Sequence, residues 1–271
     1  SYYICGVDLQ KKYVKLVIQL NPTLSKEIKV TLDDYVQYGL RKGITITKEQ
    51  LRSFEEHIDS EQLYQRCLHK LSLKDRTVYE MRKWLKETEL ADYQEVNVLI
   101  DKLIQKGYLD DEKLCKEQIQ ALSNSLYGPK QILSKLKQRG VKENCILACM
   151  EQSKLNEYEF ALAYATKVLR QSQKSSVIKT KNTIRNKLMT RGYSNSTIEN
   201  IVSELDYSAN QENEDVLLEK LVRKAMKRYE RKYCGYDLKT RIFRYCLTQG
   251  FHSEDINTVM DRMEWSHDED K

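Results

Sequence analysis

The chain has 271 residues, with 9 glycines, 2 prolines, 32% charged side chains and a formal net charge of +6. So few backbone breakers among so many charges argue against a β-rich fold and favour long helices with solvated outer faces. The positive charge is mild, compatible with an acidic partner without demonstrating one.

The first stretch differs from the rest. Tyr2–Leu9 and Tyr13–Leu20 alternate apolar and polar residues around Gln10-Lys11-Lys12, the pattern of a hairpin. Asn21-Pro22 turns the chain, Glu27–Leu32 reads as a third strand, and Asp33–Leu40 as a short helix closed by Arg41-Lys42-Gly43. Ile44–Ile46 is extended, and Thr47 with Gln50 forms the capping box of another helix. Residues 1–57 are expected to form a small α+β module.

From residue 58 the apolar spacing takes the helical period. The clearest unit is Leu103–Gly140. A helix ends at Gly107, where a residue without Cβ takes the left-handed position that closes helices. Tyr108 and Leu109 are expected to fall back on the core, and Asp110 and Asp111 to cap the next helix through its free N–H groups. That helix turns Leu114, Ile119 and Leu122 inward and breaks at Tyr127-Gly128-Pro129. A further helix carries Ile132, Leu133 and Leu136 on one face and stops at Gly140.

This outline recurs. Gly140, Gly192 and Gly250 each follow a helix, in the strings LKQRG, LMTRG and CLTQG. Ile132 and Leu136, Ile184 and Leu188, and Ile242 and Cys246 stand about two turns and one turn before them. Val141, Tyr193 and Phe251 follow directly, and Ile146, Ile198 and Ile256 come in the next helix. An earlier copy aligns Met81 and Leu85 but has Glu89 in place of the glycine. The copies stand roughly fifty to sixty residues apart, which suits three short helices each. Extra length before the last copy falls in Asp206–Asp215, expected to be a polar linker. The expected fold is mainly α: tandem three-helix repeats over 58–108, 109–155, 156–208 and 209–271, stacked in an elongated, curved array because each unit alone buries little apolar surface.

No catalytic constellation emerges. His57, His69, His252 and His267 are isolated, and no phosphate-binding or dinucleotide-binding glycine loop occurs. The seven cysteines, Cys5, Cys67, Cys115, Cys145, Cys149, Cys234 and Cys246, include no C-x-x-C pair and read as reduced core residues. Cys145 and Cys149, one helical turn apart, would make half a metal site, but no second pair follows at a suitable spacing, so core packing is the better reading. Helix capping accounts for Asp110-Asp111 without a metal. The expectation is a binding protein without enzyme activity, cofactor or metal. Nothing resembles a signal peptide or a membrane span, so a cytoplasmic protein is expected.

Cations concentrate between Lys154 and Arg191 and between Lys220 and Arg244, whereas Glu264, Asp268, Glu269 and Asp270 make the last residues acidic. Basic side chains on the middle helix of successive repeats would track phosphates at regular steps. The expected contacts are Lys130, Lys135, Lys137 and Arg139 in the second repeat, Lys181, Arg185, Lys187 and Arg191 in the third, and Lys239, Arg241 and Arg244 in the fourth. Solvated helix faces are the alternative for any single cluster, and repetition across copies weighs against it for the set. Tyr229, Tyr233, Tyr236 and Tyr245 interleave with cations and would stack on bases; packing between helices is the more economical role.

The string GYLDD at 107–111, the Y-G-P-x-x-I-x-x-x-L-x-x-R-G stretch at 127–140 and the three-helix repeats resemble the RecX family of bacterial recombination regulators. YVQYGLRKG at 35–43, followed by Ile44–Thr47, looks like the N-terminal module of long Gram-positive members. Members often have Phe-Ala where this chain has Leu114-Cys115. A monomer is expected, and the resemblance implies a protein that binds the RecA recombinase and its filament on DNA. It would suppress strand exchange, ATPase and coprotease activities in recombination and the SOS response, and would also bind single- or double-stranded DNA. A helical array that binds nucleic acid independently of RecA is the alternative. No catalytic residues carry over.

Overall fold

In the computed structural model, residues 1–263 and 265 are described. They form thirteen helices and four strands, grouped in two compact units: residues 1–114 with 139–141, and residues 115–138 with the chain from 142 onward. The acidic Glu264, Asp268, Glu269 and Asp270, and His267, lie outside the described residues.

The first unit opens with an antiparallel sheet, β1 (Tyr2–Leu9), β2 (Val14–Asn21), β3 (Leu24–Val30) and β4 (Thr45–Ile46), ordered β3-β2-β1-β4. The expected hairpin forms, with Leu9 opposite Val14 and Tyr3 opposite Gln19, and its register shifts between Ile4 and Gly6. Its inward residues Ile4, Val14, Leu16 and Ile18 are fully buried, together with Phe54. Helix α1 (Leu32–Gln37) is short, and α2 (Lys48–Leu73) starts at the expected capping box: the Gln50 N–H donates to Thr47 Oγ1 at 3.0 Å, and the Thr47 N–H to Gln50 Oε1 at 2.9 Å.

Helix α2 runs unbroken across residues 57 and 58. Leu51 and Phe54 on its first half close the core of the sheet, while Leu63, Tyr64 and Cys67 on its second half join α3 (Val78–Thr88) and α4 (Tyr93–Gln105) around Met81, Leu85, Ile100 and Leu103. The change from strand to helical period thus marks a change of core inside one helix. Glu89 takes the left-handed conformation itself (φ 54°), filling the place that glycine holds in the other copies. Leu109 is buried as expected, but Tyr108 is exposed.

In the second unit, α5 (Asp111–Asn124) crosses over from the first, and α6 (Pro129–Gln138) starts with proline at its first position, where the missing N–H does no harm. Helix α7 (Glu143–Ser153) completes that triplet. Helices α8 (Glu157–Gln171), α9 (Val177–Arg191) and α10 (Asn195–Glu204) share a core of Ala161, Ala165, Ile184, Leu188, Tyr193 and Ile198. Helices α11 (Ser208–Tyr229), α12 (Gly235–Thr248) and α13 (Ser253–Asp261) share one of Leu218, Val222, Ile242, Cys246, Phe251 and Ile256. The aligned positions of the two triplets, Ile184 and Ile242, Leu188 and Cys246, Tyr193 and Phe251, Ile198 and Ile256, are all buried.

Two further expectations need correction. Asp206–Asp215 is not a linker, because α11 begins at Ser208. The buried Asn210 side chain donates to the carbonyls of Ser172 and Ser175, both at 2.9 Å, and so holds the start of α11 against the end of α8. Asp111 does not cap its own helix. Asp110 does, accepting from the Lys113 N–H at 3.0 Å, whereas Asp111 Oδ1 accepts from the Val78 N–H at 2.9 Å, at the start of α3.

Candidate nucleic-acid and partner interface

The middle helices α6, α9 and α12 present the candidate cations, and one joint recurs along the middle helices from α3 to α12. In the first unit, Thr77, the N-cap of α3, donates from Oγ1 to the Arg139 carbonyl at 2.6 Å. In the second unit, the Gly128 N–H donates to the Arg191 carbonyl at 2.7 Å and the Lys130 N–H to the Gly192 carbonyl at 3.0 Å. Ser176, the N-cap of α9, donates from Oγ to the Gln249 carbonyl at 3.1 Å. Each time, carbonyls at the C-terminal end of one middle helix meet donors at the N-terminal end of the one before it. Groups that helix ends leave orphaned are satisfied, and the helix dipoles meet with opposite partial charges.

The glycines permit this approach. Gly192 has φ +88°, and a Cβ built on it would lie 2.4 Å from the Gln131 backbone nitrogen; one on Gly128 would lie 2.5 Å from the Gly192 carbonyl carbon. The repeated glycines therefore both stop one middle helix and let it seat against the start of the middle helix before it.

The residue before each glycine belongs to the joint. Arg139, expected to face outward, turns in: Nε lies 2.9 Å from Glu80 Oε1, and Nη2 donates to Glu80 Oε2 and the Asp75 carbonyl, both at 3.0 Å. Burial opposes the charge of Glu80, but hydrogen bonds from Arg139 and the Thr77 N–H outweigh it and hold the carboxyl below its usual range. Burial pushes the neighbouring Asp111 carboxyl up. Arg191 stacks between Tyr127 and Tyr164, at 4.4 and 4.7 Å from the ring centroids, and donates to the Ser125 carbonyl at 3.2 Å. The Arg-Gly pair stands in both copies, at 139–140 and 191–192, but the partners of each arginine lie far away in sequence.

The other cations sit nearer solvent. Lys135 lies over Tyr127 at 4.7 Å, Lys181 over Tyr207 at 5.0 Å and Lys239 over Trp265 at 5.2 Å. Lys137 pairs with Glu143 at 2.7 Å and Arg185 with Glu199 at 2.9 Å. Arg241 stacks on Tyr233 at 3.8 Å. Exposed ion pairs are worth only about 0–1 kcal/mol, so a phosphate competes readily for these cations. Lys130, Lys187 and Arg244 are exposed and have no ion pair or ring partner among the described residues. Tyr229 packs against Tyr233 and Tyr245, each 6.4 Å away, while Tyr236 is 83% exposed.

One group escaped the choice of middle helices. On α11, Leu218, Val222 and Ala225 face the core, leaving Lys220, Lys224 and Lys227 exposed on the opposite face. Their i, i+4, i+7 spacing was legible in the sequence and makes a second cationic ridge.

A hydrogen-bonded chain in the first unit has the outline of a hydrolase triad: Asp34 Oδ2 lies 3.0 Å from His57 Nδ1, and Ser53 Oγ lies 3.4 Å from His57 Nε2. Ser53 and His57 stand one turn apart inside α2, whose backbone N–H groups bond within the helix and do not converge on a developing oxyanion. The chain of contacts ties α1 to α2.

Comparison with known proteins fits this architecture. Residues 213–260, most of α11 through α13, match the family model described as RecX, third three-helix domain. The chain is 27% identical over 259 residues to the regulatory protein RecX of Streptococcus gordonii, with 93% of this chain and 96% of that protein covered. It is 27% identical over 256 residues to the namesake in Streptococcus sanguinis, with the same coverage. A crystal structure of regulatory protein RecX superposes with a TM-score of 0.64 at 24% identity, covering 75% of this chain and 100% of that one. That of RecX from Lactobacillus salivarius gives 0.50, also at 24%, and covers 55% and 97%.

Proposed function

We propose that this chain, RecX-like in sequence along 93% of its length and RecX-like in fold, is a cytoplasmic, monomeric regulator of the RecA recombinase. It acts on the RecA filament on DNA, restraining strand exchange, ATP hydrolysis and coprotease activity in recombination and the SOS response. The observation that carries the reading is the likeness to regulatory proteins along nearly the whole chain, the N-terminal module included.

The joints support a physical route. Middle helices linked end to end set Lys130, Lys187, Lys239, Arg241 and Arg244 at successive steps of the second unit, and cations so spaced meet the regularly spaced phosphates of a nucleoprotein filament. Lys130, Lys135, Lys137, Lys181, Arg185 and Lys187 share this role. Arg139 and Arg191 contribute by holding the helices that present the others.

The test is RecA ATP hydrolysis on single-stranded DNA, titrated with the full chain. Inhibition well below one copy per RecA supports action on filament ends or assembly; inhibition only near saturation supports coating of the filament. The second reading, nucleic-acid binding independent of RecA, is favoured by the α11 ridge. It predicts equal affinity for naked DNA and filament, with a steep loss as salt rises. Tight binding to naked DNA without any effect on RecA would replace the first reading with the second.

A further inference from the structure

Three of the seven cysteines converge at one place in the second unit. Cys145 and Cys149 project from the same face of α7, one turn apart, and Cys115 comes to meet them from the first turns of α5. The three Sγ atoms all lie within 4.8 Å of one another. They stand as thiols. Cys115 and Cys149 are buried, while Cys145 is half-buried, so the group is open to solvent on one side.

We propose that Cys115, Cys145 and Cys149 form a three-thiolate binding site for a zinc-like, thiophilic divalent cation. The geometry is close to what such an ion requires. With Zn–S bonds of about 2.3 Å, tetrahedral sulfurs lie about 3.8 Å apart, so the thiols need approach by about 1 Å at most. Small changes in χ1 achieve that while α5 and α7 stay in place, held by the buried Leu114, Ile119 and Ile146. The half-buried Cys145 side leaves a fourth position for water or another small ligand. Thiolate sulfur selects soft cations, and a water-filled fourth position suits zinc.

Binding involves no redox change: the cation displaces one proton from each thiol, three in all. The thiols must lose their protons to ligate, so protons compete with the ion and affinity rises with pH. The consequence is a staple between α5 and α7 within the second triplet. Elsewhere a buried thiol stands by itself, as Cys246 does in the core of the last triplet.

The experiment is equilibrium dialysis of the full, phosphine-reduced chain against Zn²⁺, with Cd²⁺ as an ultraviolet probe of sulfur ligation. The expected result is one ion per chain. Affinity should fall about a hundredfold or more in C115A, C145A and C149A, and stay unchanged in C234A, which removes an exposed cysteine outside the cluster. C145A decides the matter if the buried variants fold poorly: its helical circular dichroism should match the parent while the ion is lost. Zinc should also raise the unfolding temperature of the parent and not that of C145A. No ion bound by the parent, full binding by C145A, or equal loss in C234A would each overturn the proposal.

Discussion

Gly192→Ala tests the joint between middle helices most directly. The new methyl meets two costs. At φ +88° an L-residue sits in the left-handed region, unfavourable by about 1–2 kcal/mol. Its Cβ would also stand 2.4 Å from the Gln131 backbone nitrogen, which cannot swing aside as a side chain would. Overpacking of this kind costs about 1–3 kcal/mol. If α6 and α9 separate to make room, the hydrogen bonds from Gly128 and Lys130 lengthen, at about 1 kcal/mol each. The expected loss is about 2–5 kcal/mol, concentrated at this joint. Gly107→Ala is the control: φ is +77°, but nothing lies within 4 Å of the added methyl, so only the conformational cost of about 1–2 kcal/mol applies. A chain of two units need not unfold in one step. The readout is therefore native-state hydrogen exchange at the amides of Gly128 and Lys130, together with urea unfolding followed by circular dichroism. If Gly192→Ala costs no more than Gly107→Ala, or leaves those two amides as protected as before, the joint does not hold the helices and the argument fails.

Glu89→Gly should stabilise the first unit by up to about 1 kcal/mol, since Glu89 is exposed and left-handed and glycine relieves the strain; Trp84 fluorescence, from a ring packed on that core, measures the shift, and a lower midpoint contradicts it. Arg139→Ala should destabilise the same unit by about 1–3 kcal/mol at neutral pH, because it leaves the half-buried Glu80 without its partner. The folded-state pKa of Glu80 is depressed, so the pair's contribution is present above the unfolded carboxyl value of about 4.3 and is lost as pH falls through the folded one. Parent and variant should converge on acidification, and a constant gap down to the acid transition would refute the assignment. Replacing Lys130, Lys187 and Arg244 together with glutamine should weaken binding to a RecA filament or to DNA and flatten the salt dependence by about one unit for each phosphate no longer neutralised, with thermal unfolding unchanged; a large drop in melting temperature would make them structural.

Much of the architecture was legible in the order of residues alone. Strand and helix periods, the Thr47–Gln50 capping box and the glycine stops are local signals, set by which face of an element avoids water and by which residues tolerate a helix end. The buried register of Ile184, Leu188 and Tyr193 against Ile242, Cys246 and Phe251 follows from that periodicity. What lay beyond it depends on neighbours distant in sequence. An arginine before a glycine reads as a solvated cation until Glu80 and Asp75 are seen beside Arg139, or Tyr127 and Tyr164 around Arg191. Asp111 is as good a cap for its own helix as for α3, and only the packing of the two helices selects Val78. Asn210 lies in a polar stretch that looks like a linker because its partners, the carbonyls of Ser172 and Ser175, become available only once α8 has ended beside it. Cys145 and Cys149 announce themselves by spacing, whereas Cys115 joins them by a helix crossing that no local pattern encodes. Local periodicity determines which elements form and which faces they bury; side-chain partnerships across elements arise only when those faces close on one another, and there tertiary structure alone decided.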